Sequence, residues 1–137
     1  MLHELGVLHY LNGEYDEAVS YFVQVAENCQ EYDETVREPS IFNLGHAYRK
    51  KREFDHAATW YRAALAINPR VASTYSALGF TLHLKGDLDA AIELYHQVRE
   101  RSLPNLPPEP SMSSPQPFSN LLTPTRFHEL CATSRSR

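Results

Sequence analysis

Seven histidines are the first residues to weigh for chemistry, at positions 3, 9, 46, 56, 83, 96 and 128. A helix-borne metal site sets two ligands one turn apart on a single face, and no two of these histidines stand four residues apart. They read as packing or surface groups. The chain also has no Gly-rich phosphate loop, no nucleophile elbow and no cysteine pair at metal-binding spacing. The expectation is a non-enzyme with no cofactor, no metal and no catalytic residue.

Groups suited to holding another polypeptide do occur, in two clusters. The first is Phe42, Asn43, His46, Arg49 and Lys50; the second is Ser73, Ser76, Phe80 and His83. A phenylalanine anchors an apolar side chain, an amide hydrogen-bonds a peptide backbone, and the cations suit an acidic partner. Each Phe has a second reading, as packing between structural units, and Asn43 has one as a bond within its own array. Both clusters face a common ligand only if the two segments are helices lying side by side.

The elements that would do this are written in the apolar pattern. Ile41, Leu44, Gly45 and Tyr48 fall at i, i+3, i+4 and i+7, one face of a helix, and Ala57, Tyr61 and Ala64 do so further on. Gly45 and Gly79, Ala57 and Ala91, and Tyr61 and Tyr95 are each separated by 34 residues, which marks an internal repeat. Asn68-Pro69 ends one unit, since proline disfavours helix at the residue before it. Pro39 is expected to open a helix, and Gly86-Asp87 to stop one helix and cap the next.

This pattern resembles the tetratricopeptide repeat. The signature is met by Ile41, Leu44, Gly45, Tyr48, Ala57, Tyr61, Ala64 and Pro69, then by Tyr75, Leu78, Gly79, Ala91 and Tyr95. An earlier unit shows Leu5, Gly6, Ala18 and Phe22, with His9 where tyrosine is expected. Gly45 and Ala57 leave room where paired helices approach, and Tyr48 and Tyr61 fill the space beside them. A leucine at Gly45 would overpack that contact, at a cost of about 1–3 kcal/mol. Gly6 to Gly45 spans 39 residues, so five extra residues are assigned to a surface loop around 28–38 that prolongs the preceding helix.

The fold expected is all-α: a tetratricopeptide-repeat solenoid of three helix-turn-helix units, at about 1–30, 38–71 and 72–103. Repeats occupy 1–101 and a disordered Pro/Ser-rich tail occupies 102–137. No polar capping helix is evident after Arg101, so the chain reads as a shortened piece of a longer array.

Charge follows the same division. Residues 1–101 carry 10 Lys and Arg against 15 Asp and Glu, and the whole chain has a net charge of −4. An acidic body argues against nucleic acid, which requires a positive footprint. No apolar run approaches the roughly 20 residues of a membrane-spanning helix. The run Arg49-Lys50-Lys51-Arg52 suits a helix C-terminus, where cations meet the helix dipole favourably, or an acidic partner.

Some strings are more particular. His3-Glu4-Leu5-Gly6-Val7, Asn43-Leu44-Gly45-His46 and Ala72-Ser73-Thr74-Tyr75-Ser76-Ala77 are together similar to the later repeats of the cell division cycle protein sixteen family. That family supplies a subunit of the anaphase-promoting complex. The resemblance implies a scaffold in a cell-cycle ubiquitin ligase, in the nucleus and cytoplasm. Its implied partners are other subunits of that ligase, among them a small accessory peptide-like subunit. The competing expectation is a generic peptide-binding adaptor such as a chaperone co-factor. Some tetratricopeptide modules clamp a C-terminal carboxylate with Lys, Asn and Arg; Asn43 matches one such position, whereas His3, Val7, Ser73 and Ala77 occupy the others.

Seven of the nine prolines lie at or after Pro104, and that composition buries too little apolar surface to offset chain ordering. Thr123-Pro124-Thr125-Arg126 fits the full preference of proline-directed cell-cycle kinases, and Ser114-Pro115 the minimal one, which makes Thr123 and Ser114 phosphorylation candidates. Phe118, Leu121, Leu122, Phe127 and Leu130 are expected to form a short helix that docks on a partner or on the repeat end.

Overall fold

The computed structural model describes residues 1–102. Ser114, Thr123 and the apolar positions from Phe118 to Leu130 lie outside the described residues. Six helices follow one another: α1 (Leu2–Leu11), α2 (Tyr15–Glu27), α3 (Glu34–Lys50), α4 (Phe54–Ile67), α5 (Ala72–Lys85) and α6 (Leu88–Ser102). No strand occurs among the described residues. Helices pair within a unit as α1 with α2, α3 with α4 and α5 with α6. Successive units join through α2 against α3 and α4 against α5.

Close approach within a pair depends on glycine. A β-carbon on Gly6 would lie 2.5 Å from Phe22 Cε1, and one on Gly45 would lie 2.6 Å from Tyr61 Cε1. Both distances are shorter than a real β-carbon contact, so the aromatic ring occupies the space that a side chain would need. The core is continuous across the units. Ala18, Phe22 and Leu44 form one part, Ala26, Ile41, Ala63 and Ala64 a second, and Ala57, Tyr61, Leu78, Leu82, Ala91 and Leu94 the largest.

Turns within the units share one backbone device. Gly13, Arg52 and Gly86 stand at equivalent places and all have positive φ, 83°, 65° and 98°. Glycine adopts that left-handed conformation freely, whereas an arginine there is strained.

The inserted residues correct two expectations. Pro39 does not open a helix; it lies inside α3, which starts five residues earlier at Glu34. Asp33 caps that start, its Oδ1 accepting from Thr35 N at 3.0 Å. Proline at this position leaves the Thr35 carbonyl without its i+4 donor. The insertion therefore lengthens the following helix, not the preceding one, and α3 has 17 residues against 14 in α5. The added turn is anchored in the interior. Arg37 is only 1% exposed, and its Nε donates to the Ala26 carbonyl at the end of α2 at 3.2 Å.

Leu5 also differs from expectation. It holds the signature position of Leu44 and Leu78, yet it is 39% exposed while those two are fully buried. The motif position packs against a second helix of a preceding unit, and no described helix covers α1 on that side.

Candidate functional site

The candidate surface is built on α3 and α5, the first helices of the second and third units. Helical spacing sets Phe42, His46, Arg49 and Lys50 along α3, and Ser73, Ser76, Phe80 and His83 along α5. The structure divides these residues into an inner and an outer group.

The inner group is structural. Phe42 is half-buried, packs against two parts of the core, and meets the His46 ring edge-on with centroids 4.4 Å apart. Tyr61 completes the cluster, 5.7 Å from Phe42 and 5.5 Å from His46 by centroid. Burial, joined by the nearby Arg49 and Lys50 charges, pushes the His46 pKa down to about 4. His46 is thus neutral at physiological pH, and its Nδ1 shares a hydrogen bond of 2.7 Å with the Tyr61 hydroxyl. Burial likewise raises the Tyr61 phenol, which keeps its proton. These ring contacts of Phe42 are to its own helix and to α4 of the same unit.

The outer group lies at the surface. Phe80 is 43% exposed, with the Arg49 guanidinium 5.2 Å from its ring centroid and the His83 ring edge-on at 6.3 Å. An aromatic face already bearing a cation holds the side chain in place at a joint between units. Lys50, Ser73 and His83 are exposed nearby, and Asn43 and Ser76 are half-buried. The surface therefore combines an apolar aromatic, two or three cationic or titratable groups, and hydroxyl and amide donors. Groups of these types can make apolar, ionic and hydrogen-bonding contacts to a polypeptide. Among the described residues no group of three or more His, Cys, Asp or Glu is arranged to hold a metal ion, and no helix is long and apolar enough to cross a membrane.

Three contacts escaped the sequence reading. Lys51 Nζ reaches Asp16 Oδ1 at 2.6 Å, joining the first unit to the second, and Lys85 Nζ reaches Asp55 Oδ1 at 2.5 Å, joining the second to the third. Asp16 and Asp55 share a repeat position, as do Lys51 and Lys85, so extending the alignment to polar residues would have found both. In the third, Arg101 on α6 lies 4.5 Å over the Tyr75 ring and donates to the Pro69 carbonyl at 2.9 Å, tying the end of the last helix to the loop between α4 and α5.

Stacked helix pairs with a glycine–aromatic contact in each, and an aromatic–cation contact across their first helices, define a helical-repeat protein. The tetratricopeptide-repeat family profile matches residues 1–70 and again 42–107, and the chain belongs to this family. It resembles the following relatives in particular. It is 49% identical over 72 residues to anaphase-promoting complex subunit 6 of Dictyostelium discoideum, covering 50% of this chain and 8% of that protein. Identity to the human cell division cycle protein 16 homolog is 35% over 100 residues, 70% of this chain and 16% of the relative. Anaphase-promoting complex subunit 6 of Arabidopsis thaliana is 40% identical over 85 residues, 62% of this chain and 16% of its own length. The chain thus spans between 8% and 16% of the length of these relatives.

Proposed function

We propose that this chain is a non-catalytic protein-interaction scaffold of the anaphase-promoting complex, acting in cell-cycle control in the nucleus and cytoplasm. The observation that carries this reading is the similarity to anaphase-promoting complex subunit 6 of an amoeba and a plant, at 49% and 40% identity, together with that to a human cell division cycle protein 16 homolog, at 35%. The outer surface fits that role. Arg49, Lys50, Phe80 and His83 offer one anchor and several polar contacts to a small accessory peptide-like subunit, while neighbouring subunits pack on the array. The repeat domain ends with α6 at Ser102, and Thr123 and Ser114, outside the described residues, are the phosphorylation candidates.

The chaperone co-factor reading has less support. Carboxylate clamping needs several convergent cations, and His3, Val7, Ser73 and Ala77 stand where most of them would be. Affinity capture of the tagged full chain from dividing cells, with mass-spectrometric identification, separates the two. Enrichment of ubiquitin-ligase subunits is expected. Capture of chaperones instead, together with tight binding of an acidic C-terminal pentapeptide, would overturn the scaffold reading.

A further inference from the structure

One register position of the first helices is exposed in all three units. Leu11 on α1, Lys50 on α3 and Leu84 on α5 are separated by 39 and 34 residues, the same steps that relate Gly6, Gly45 and Gly79. Leu11 is 73% exposed and Leu84 46%, and Lys50 is exposed as well. Lys50 lies in the unit that is flanked on both sides, so exposure at this position belongs to the surface the first helices share and not to an end of the array. One turn earlier the same register reads Val7, His46 and Phe80. The outer helices thus present apolar pairs, Val7 with Leu11 and Phe80 with Leu84, on either side of a middle helix that presents a cation.

The spacing of these groups selects the backbone of a ligand. Packed helices lie about 8–10 Å apart, α1 touches α3, and Arg49 of α3 reaches the Phe80 ring of α5. A chain crossing the three helices therefore meets the same register position about every 10 Å. Polyproline II advances about 3.1 Å per residue with three residues per turn, so every third side chain falls on one face at steps of about 9 Å. A β-strand turns its third residue to the opposite face. Polyproline II also leaves its carbonyls unbonded. Immediately before each of the three positions stands a side chain that can donate to one: Tyr10, Arg49 and His83. A helical ligand has no free carbonyls to offer them along its length.

We propose that this row binds a polyproline II segment of a partner protein that carries an apolar residue, an acidic residue three positions on, and a second apolar residue three positions further. The apolar side chains cover Leu11 and Leu84, and the carboxylate pairs with Lys50. This rests on reading the chain as an interaction scaffold, and it specifies the chemistry of the partner.

NMR titration of the isotope-labelled full chain with the capped heptapeptide Leu-Pro-Pro-Asp-Pro-Pro-Leu tests it. Shifts are expected at the amides of Leu11, Lys50 and Leu84. A lysine in place of the peptide's aspartate weakens binding about tenfold or more, because it meets Lys50 with like charge. One proline fewer in each spacer weakens it similarly, since the three side chains no longer share a face. Lys50→Glu reverses the order, so that the lysine peptide binds better than the aspartate one. Leu11→Ser and Leu84→Ser, both at exposed positions, each weaken binding about three- to tenfold. The peptide comparisons use the native chain and stand even if a variant fails to fold. Absence of shifts at these three residues, equal binding of the aspartate and lysine peptides, or preference for a helical peptide with the same residues seven apart overturns the proposal. No ligase subunit enters the experiment, so its failure leaves the proposed function standing. Failed affinity capture with success here would remove the ligase and keep the ligand chemistry.

Discussion

Gly45 lies flush against the ring of Tyr61, where an added β-carbon would stand 2.6 Å from Cε1 and 2.7 Å from Cδ1. Tyr61 is fully buried and its hydroxyl is held by His46, so the ring has nowhere to retreat. The equivalent pair in the third unit is looser: a β-carbon on Gly79 would meet Tyr95 Cε1 at 3.0 Å, and Tyr95 is part-exposed. Gly45→Ala should therefore destabilise the chain by about 1–3 kcal/mol, as overpacking of a filled core does. Gly79→Ala should cost distinctly less. Urea unfolding of the two variants checks the order, and equal losses would contradict it.

Arg52 predicts a gain. It holds the left-handed position that Gly13 and Gly86 fill in the other units, with φ of 65°. The left-handed region costs a residue with a β-carbon about 1 kcal/mol or more relative to glycine. Arg52→Gly should raise stability by about 0.5–1 kcal/mol, part of the relief being offset by glycine's larger chain entropy. A lower melting temperature would contradict the prediction.

His46 makes stability depend on pH. Its pKa in the folded chain is about 4, below the ordinary value of 6.5, so the unfolded chain binds the proton more readily. The contribution is complete above pH 6.5 and is lost as pH falls from there towards 4. Because the ring is only partly buried, its size is about 1–2 kcal/mol after allowance for solvent screening. His46→Gln, compared with the native chain by urea unfolding at pH 7 and pH 4.5, should lose less stability on acidification. Identical pH dependence would remove His46 as a cause.

Arg37 tests whether the added turn of α3 is structural. Replacing it with alanine removes a buried side chain and its charge-assisted bond to the Ala26 carbonyl, at a cost of about 2–4 kcal/mol. Arg37→Lys keeps the charge but loses the planar donor and should recover only part of this. Hydrogen exchange should localise the weakening to the end of α2 and the start of α3.

The apolar spacing alone carried the helix pairing, because Gly45, Ala57 and Tyr61 serve one steric purpose and recur together. The start of α3 was less legible. Proline favours a first-turn position in general, but burial of Arg37 against the end of α2 extends the helix ahead of Pro39. Leu5 shows a second limit, since a repeat motif states which surface a residue presents to a neighbouring helix and not whether that helix is present. At the candidate surface the composition was readable and the division was not. Phe42 and Phe80 are the same type of residue on the first helices of successive units, and only the packing separates the half-buried one beside Tyr61 from the exposed one under Arg49.

The scaffold account is tested most directly by quantitative affinity capture of the full chain from dividing cells, with the native sequence and an Arg49→Glu/Phe80→Ala variant compared side by side. Both replacements lie outside the buried core, and circular dichroism of the two proteins should match. The account predicts that the native chain enriches anaphase-promoting complex subunits and that the variant loses most of that enrichment. Equal recovery of ligase subunits by both would remove the α3–α5 surface from the account, and recovery of none by the native chain would contradict the account itself.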